Sequence, residues 1–457
     1  MRRRSRTATL TAALILILAL PLALPVMLCA ADGDLDTGFS SDGQDIQDWG
    51  VDFTHALAVA AAADGSILVG GQVKVTSMDF GVVRYGADGS VDTAFGEQGF
   101  TRVPFDVGDN EGDSLRQVLT LPGGKSLLIG TVETATVFLP GVARLTAGGD
   151  LDTDFGTGGK IVLDVLPDTN TSVFIEDAVR QPDGKVVLLG TSLPPGGFTQ
   201  GHLFLLRIDE DGAPDLTFSS DGWTLLDIPS ATAESGAALE LDDLGRIHIA
   251  ANALAPSSYR PVYLRVGTTG LVEVVNIVDF GELWVASDLA LDPPTWRPIL
   301  SLRDNDANFD AGLVIRLDTA GEIDSTFGDN GFAEMTLEEG SWMGALAVQS
   351  DRKIVLAGHI DHTGSQKGGF LLARLLPDGA RDNSFDGNGV VRYEFDRDVD
   401  ARDGASALAL AGGRLVAAGY AGIGAFNDRA FAVLRTRSAL IFTDGFERAS
   451  TSAWLGN

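Results

Sequence analysis

The chain has 457 residues, 45% of them hydrophobic, with 63 acidic and 33 basic side chains and a formal net charge of −30. That apolar content excludes a disordered acidic tail, which could not bury enough surface to offset chain entropy, and the charge argues against nucleic acid or an anionic membrane as partner. Fifty-six glycines and few aromatic residues suit many short strands joined by tight turns.

Residues 1–30 read as a secretory signal peptide. Arg2, Arg3, Arg4 and Arg6 precede an apolar run from Leu10 to Leu28 that contains Pro21 and Pro25, and the small residues Ala30 and Ala31 stand before Asp32. An uncleaved membrane anchor is the alternative, but the run barely reaches spanning length and holds two prolines. Cleavage is expected after Ala30 or Ala31. It removes Cys29, the single cysteine, so no disulfide framework or thiol chemistry remains. Leu28 and Met27 before that cysteine lack the small residue of a lipoprotein signal. Loss of four arginines and no acids takes the net charge to −34. The expected product is a secreted, periplasmic or cell-surface monomer with no membrane insertion.

From residue 31 to 438 one phrase returns: a strand carrying an arginine, a turn containing Gly, then an aspartate, a phenylalanine and a glycine. Its copies are Arg84, Asp88, Gly89, Asp92, Phe95, Gly99; Arg144, Gly149, Asp152, Phe155, Gly159; and Arg207, Asp211, Gly212, Asp215, Phe218, Gly222. Two more are Arg316, Gly321, Asp324, Phe327, Gly331 and Arg374, Asp378, Gly379, Asp382, Phe385, Gly389. The copy at Arg265 and Gly270 is worn, with Glu273 in place of the aspartate, and the copy beginning at Arg435 stops before its aspartate. Successive arginines lie 60, 63, 58, 51, 58 and 61 residues apart. A second phrase interleaves: a turn, then an apolar strand ending in a small residue, as from Asp64-Gly65 to Gly70, Gly124-Lys125 to Gly130 and Asp183-Gly184 to Gly190. It continues from Leu244-Gly245 to Ala250, Asp351-Arg352 to Gly358 and Gly413-Arg414 to Gly419, with Trp296 to Ser301 as a degraded version.

Strands such as Val186-Val187-Leu188-Leu189 and Leu203-Phe204-Leu205-Leu206 are apolar on both faces, so both faces must be covered. A propeller blade, sandwiched between two others, meets that condition. The expectation is an all-β fold: a seven-bladed β-propeller of about 60-residue repeats. An orphan half-phrase at Asp36, Phe39 and Gly43 precedes the first arginine strand, and the last unit lacks the same half. The N-terminal segment is therefore expected to complete the last blade and close the ring.

These phrases resemble the delta-60 repeat family of bacterial β-propellers, over nearly all of residues 32–438. The resemblance implies the architecture and carries no general activity. Residues 439–457 form a tail in which Ile441-Phe442-Thr443-Asp444-Gly445-Phe446-Glu447, with Trp454 behind it, is similar to a C-terminal segment of secreted proteins from Xanthomonas-like bacteria; a final strand or loosely held end is the alternative.

Candidate chemistry is sparse. Gly124-Lys125-Ser126 imitates the end of a phosphate-binding loop, but Leu119 stands where its first glycine belongs and the lysine recurs as Lys185 in the repeat's own turn. Ser192 and Ser406 lack the second glycine of a nucleophile elbow. The histidines are His55, His202, His248, His359 and His362, at no common repeat position; His359, Asp361 and His362 could supply part of a metal site, with an ordinary solvated loop favoured. Asp32, Asp34 and Asp36, and Asp304, Asp306, Asn308 and Asp310, alternate like the start of a calcium loop but lack its glycine and glutamate, so calcium is left open and no cofactor is assigned. The repeated arginine and aspartate read as a structural ion pair or turn clamp, because a ligand site draws different residues from different blades. The leading functional expectation is a non-catalytic exported binding or scaffold protein. A propeller enzyme, hydrolase or lyase, using acidic residues from several blades is the second, and a calcium-stabilised surface protein the third. Non-repeated polar residues converging on the central channel separate an enzyme from the others.

Overall fold

The structure is a computed structural model that describes residues 32–437 except 52, 109–111, 167–169, 196–199, 256–257, 279–283, 305–310, 338–340, 361–367, 396–401 and 424–427. Residues 1–31, which hold the expected signal peptide and Cys29, and the C-terminal tail lie outside the described residues, as do Asp306, Asn308, Asp310, Asp361 and His362. Among the described residues no helix is long and apolar enough to cross a membrane.

In chain order the strands are β1 (Gln44–Gln47), β2 (Phe53–Ala61), β3 (Ile67–Lys74), β4 (Met78–Tyr85) and β5 (Phe100–Val103). Then come β6 (Ser114–Thr120), β7 (Ser126–Glu133), β8 (Phe138–Leu145) and β9 (Lys160–Val162), followed by β10 (Ser172–Arg180), β11 (Val186–Leu193), β12 (His202–Ile208) and β13 (Trp223–Leu226). The next sets are β14 (Ala233–Leu241), β15 (Ile247–Ala255), β16 (Ser258–Val266), β17 (Val272–Ile277) and β18 (Trp284–Asp292), β19 (Arg297–Asp304), β20 (Ala311–Arg316), β21 (Phe332–Thr336). The last are β22 (Ser341–Val348), β23 (Ile354–Ile360), β24 (Gly369–Leu375), β25 (Val390–Tyr393) and β26 (Gly404–Ala411), β27 (Arg414–Gly422), β28 (Arg429–Thr436).

The expectation of seven separate blades is corrected. The fold is an all-β propeller in which five four-stranded sheets, β6–β9, β10–β13, β14–β17, β18–β21 and β22–β25, stand as blades. The strands from the two ends of the chain share one eight-stranded sheet, ordered β26-β27-β28-β2-β3-β4-β5, with β1 also on β28. The join is local. Phe53 pairs in parallel with Arg429, and Thr54 Oγ1 donates to the Arg429 carbonyl at 2.8 Å. Counting arginine strands cannot reveal that contact, because it fuses two repeats without altering either phrase.

The N-terminal half-phrase does lie beside the last arginine strand. β1 runs antiparallel to β28 from Gln44↔Leu434 to Gln47↔Phe431, and Asp36 N–H donates to the Arg435 carbonyl at 2.8 Å. Phe39 is fully buried, as are Phe95 and Phe155 in the equivalent copies.

The both-face pattern has its expected cause. Along β11, Val186 and Leu188 pack with Leu127 and Ile129 of the preceding blade, whereas Val187 and Leu189 pack with Ile247 and Ile249 of the following one. Alternation of side chains across a strand sends successive residues into two different cores. Turn glycines serve the same packing. Gly89 has φ of +79°, and a Cβ there would lie 2.6 Å from the Phe39 ring, so only glycine fits.

Candidate functional site

The recurrent polar residues fasten the sheets. Arg207 Nε donates to Asp215 Oδ2 at 2.7 Å, its Nη1 reaches the Thr268 carbonyl of the next blade at 2.6 Å, and its guanidinium stacks 4.8 Å from the Phe218 centroid. The same three contacts recur at Arg144, with Asp152 at 2.6 Å, Glu210 carbonyl at 3.1 Å and Phe155 at 4.7 Å, and at Arg316, with Asp324 at 2.8 Å, Pro377 carbonyl at 2.6 Å and Phe327 at 4.7 Å. At the chain ends Arg435 Nε meets Asp36 at 2.8 Å and stacks on Phe39 at 4.7 Å. Arg265 keeps the ion pair with Glu273, at 3.0 Å, and the carbonyl of Thr319, at 2.7 Å. The arginine–aspartate pair is thus within the repeat, as read from the sequence. The stacking on phenylalanine and the reach into the next unit were missed, although the fixed spacing of arginine and phenylalanine carried both.

Other expected sites resolve into scaffold. Lys125 belongs to no phosphate loop: its Nζ lies 2.7 Å from Asp152, and Lys185 sits likewise 2.9 Å from Asp215. Asp36 pairs with Arg435 and Arg414, Asp32 with Arg374, so this acidic cluster is spent on ion pairs. Asp304 ends β19 opposite Trp284. Ser192 Oγ donates to the His202 carbonyl. His248 is buried between Asp242, 3.3 Å from Nε2, and Tyr263, 2.8 Å from Nδ1. Among the described residues no group of three or more His, Cys, Asp or Glu is arranged to hold a metal ion.

What is not repeated converges on the channel. The first strand of each blade, together with β2 and β26, packs around the axis, with β26 against β2. Each of these strands carries a bulge, and the extra residue is Leu57, Arg116, Glu176, Ala237, Ser287, Gly344 or Ser406. All seven line a cavity of about 730 Å³. A bulge bends the strand and re-aims its extra side chain. The small residue that closes the second phrase sits opposite that bulge: Gly130 pairs with Leu115 and Gly358 with Met343. A Cβ on Gly358 would stand 1.8 Å from the Trp342 carbonyl oxygen.

The residue after the bulge ties inner strands together. Gln117 Nε2 donates to Asp177 Oδ1 at 2.9 Å, and Asp177 Oδ2 accepts from Leu239 N–H at 2.9 Å. Asp288 Oδ2 accepts from Leu346 N–H at 2.6 Å. Burial pushes Asp177 up to about 6 and Asp288 up to about 8, and it raises Glu176 against the lowering charge of Arg116.

On the other side of the channel His55 Nε2 lies 2.8 Å from Ser406 Oγ, and its ring meets Tyr420 edge-on at 4.7 Å. Burial first, and then the charges of Arg429 and Arg116, hold His55 down to about 3, so it is neutral at physiological pH. Arg429 stacks 4.1 Å over Tyr420, Arg303 lies 6.0 Å over Trp342, and Trp342 packs on His359 at 5.1 Å. His55 and Ser406 are 351 residues apart, which is why no motif joined them in the sequence.

Three segments, residues 62–95, 181–218 and 349–385, match the family model described as a "Domain of unknown function (DUF5122) beta-propeller". Each runs from a second-phrase turn to the phenylalanine of the first phrase, and the matches support a β-propeller repeat. No curated protein sequence matches the chain. Solved structures align with it at low identity. Puromycin hydrolase aligns at 15% identity and a TM-score of 0.48, over 81% of this chain and 50% of its own, so the chain spans about half that enzyme's length. A protein of unknown function from Dyadobacter fermentans aligns at 13% identity and 0.48, over 87% of this chain and 98% of its own. The periplasmic gluconolactonase of Pseudomonas aeruginosa aligns at 14% and 0.46, over 74% and 84%.

Proposed function

We propose that the protein is an exported, non-catalytic binding protein that takes a small solute into its central channel. One observation supports the channel as the site: on a scaffold whose fastening residues repeat from unit to unit, the bulge residues that line the channel differ from strand to strand. Such convergence is also what an enzyme requires, and the reading turns to binding because Asp177 and Asp288 are engaged by backbone N–H groups and His55 is held neutral. A cavity of about 730 Å³ is of the size that holds small ligands. The delta-60 resemblance agrees with a propeller and adds no chemistry.

Catalysis by the Ser406–His55 pair is disfavoured on physical grounds. A histidine that takes the serine proton becomes an imidazolium, and burial together with Arg429 and Arg116 opposes that charge. The second reading, an enzyme using acids from several blades, draws on the raised Asp177 and Asp288; both carboxyls, however, are engaged by backbone N–H groups of neighbouring strands.

The test is thermal unfolding of the mature protein against a panel of neutral sugars, sugar acids, amino acids and short peptides, repeated with Ala237→Trp, which fills the channel. Selective stabilisation that Ala237→Trp abolishes supports a channel site, since a ligand that binds only the folded state raises its melting point. Consumption of a panel compound by the wild type but not by Ala237→Trp replaces binding with catalysis.

A further inference from the structure

We propose that the channel's ligand is a sugar acid, its carboxylate held by arginines that line the wall and its hydroxyls by the neutral polar groups among them. This rests on the channel being the binding site and names what enters it.

The arginines come from three sheets: Arg303 on β19, Arg429 on β28 and Arg116 on β6. Elsewhere the buried arginines of the repeat are committed to aspartates. Among the described residues none of these three has an ion-pair partner. Arg303 is half-buried, and burial alone pulls it below the ordinary arginine value. In a chain with 63 acidic side chains, Arg303 and Arg429 line this cavity without a paired carboxylate, and Arg116 stands near only the partly neutralised Glu176.

Two of the three lie by aromatic rings: the Arg429 guanidinium is 4.1 Å from the Tyr420 centroid and that of Arg303 6.0 Å from the Trp342 centroid. A guanidinium presents a planar fork of N–H donors. A carboxylate matches that fork in two parallel hydrogen bonds. Ser406 Oγ and the neutral His55 add hydrogen-bonding capacity beside Arg429 without adding charge.

The acidic groups of the wall decide between anions. Glu176 and Asp177 disfavour a dianion such as a phosphate ester in the same cavity. Asp288, raised to about 8, is protonated at neutral pH, and Glu176 is raised as well. Neither attracts an ammonium strongly; Asp288 is held by the Leu289 and Leu346 N–H groups, which leaves Glu176 and Ser287 to exchange hydrogen bonds with hydroxyls. A ligand with one carboxylate and several hydroxyls fits both sets of groups; an amino acid or peptide leaves its ammonium poorly matched.

The experiment measures binding of glucuronate and galacturonate by calorimetry, with glucose, galactose, glucuronamide, glucose 6-phosphate and triglycine as comparators. The proteins are wild type, Arg429→Gln, Arg429→Lys and Ala237→Trp, each checked for native circular dichroism. The expected result is binding of a sugar acid, weakened about tenfold or more by the uncharged amide and by Arg429→Gln, as loss of a charged hydrogen-bonded pair demands, with partial recovery in Arg429→Lys. If Arg429→Gln does not fold, the amide comparison and a fall in affinity with salt carry the test. Equal binding of neutral sugars, preference for triglycine or the phosphate, or no binding across the panel overturns the sugar-acid assignment. In the first two cases, loss of the observed binding in Ala237→Trp leaves the channel reading standing. Sugar-acid binding that survives Ala237→Trp overturns the channel reading itself.

Discussion

Arg207 and Asp215 form a buried ion pair 2.7 Å apart, and Asp215 is also held by Lys185 at 2.9 Å from the neighbouring turn. Burial alone would raise Asp215; hydrogen bonds from Lys185 and Thr217, and the charge of Arg207, hold it well below the usual carboxylate range. Arg207→Ala removes the pair, the carbonyl bond to the next blade and the stacking on Phe218. Because Lys185 remains, the aspartate is not left alone, and the expected loss is about 2–3 kcal/mol rather than the larger penalty of an unpaired buried charge. Denaturant unfolding measures it, and ligand binding should survive in the folded fraction. Unchanged stability with abolished binding would move this residue from scaffold to site.

The N-terminal segment should act as part of the sheet and not as a loose end. Asp36 pairs with Arg435, Phe39 lies under the Arg435 guanidinium, and β1 hydrogen-bonds along β28. Deleting residues 32–43 uncovers an apolar core and a strand edge together, so a clearly lower melting point or aggregation is expected. Cysteines placed at Gln44 and Leu434, which face each other in register, should crosslink within one chain. Crosslinks found only between chains, or a truncated protein that melts like the full one, would show that the pairing does not hold.

Asp288 gives stability a pH dependence whose sign follows from its raised value. The folded protein keeps a proton up to about pH 8 that the unfolded chain releases near 3.8. Folding is therefore favoured by this group below about pH 4, and the advantage is lost as pH climbs from 4 to 8. Asp288→Asn keeps an acceptor for Leu346 N–H and cannot ionise. Its unfolding free energy should fall less than that of the wild type across this window and overtake it at the alkaline end. Superimposable pH curves for the two proteins would refute the assignment.

Gly358 should not tolerate a methyl group. Its added Cβ would meet the backbone oxygen of Trp342, opposite the Gly344 bulge, where no flexible side chain can yield. Gly358→Ala is expected to cost about 1–3 kcal/mol through backbone displacement, and to weaken any channel ligand as well, because Trp342 and Gly344 line the cavity. Native melting with native binding would mean the bulge is more compliant than its geometry implies.

The residues that speak in the sequence are those that recur. Arg84, Asp92 and Phe95 return together because each copy solves the same packing problem, and the apolar runs in β11 and β12 announce two covered faces. The fusion of end strands through Phe53 and Arg429 is silent, since a single parallel contact leaves no pattern. The channel is nearly silent for the opposite reason: Arg116, Glu176 and Ser406 occupy one structural position with unrelated chemistry. A faint signal existed. The small residue ending each second phrase marks where a neighbouring strand bulges, and charged residues such as Arg116 and Glu176 stand out in strands that are otherwise core.

The bulges have a consequence for how such a protein diversifies. In each blade the arginine that clamps the next unit sits on the third strand, whereas the side chain offered to the channel sits on the first, at a position already displaced from the regular ladder. Mutation there alters the chemistry of the cavity wall while the fastening chemistry stays intact. One framework can therefore carry different cavities through single substitutions, much as a lock is rekeyed by changing pins while its body is left alone.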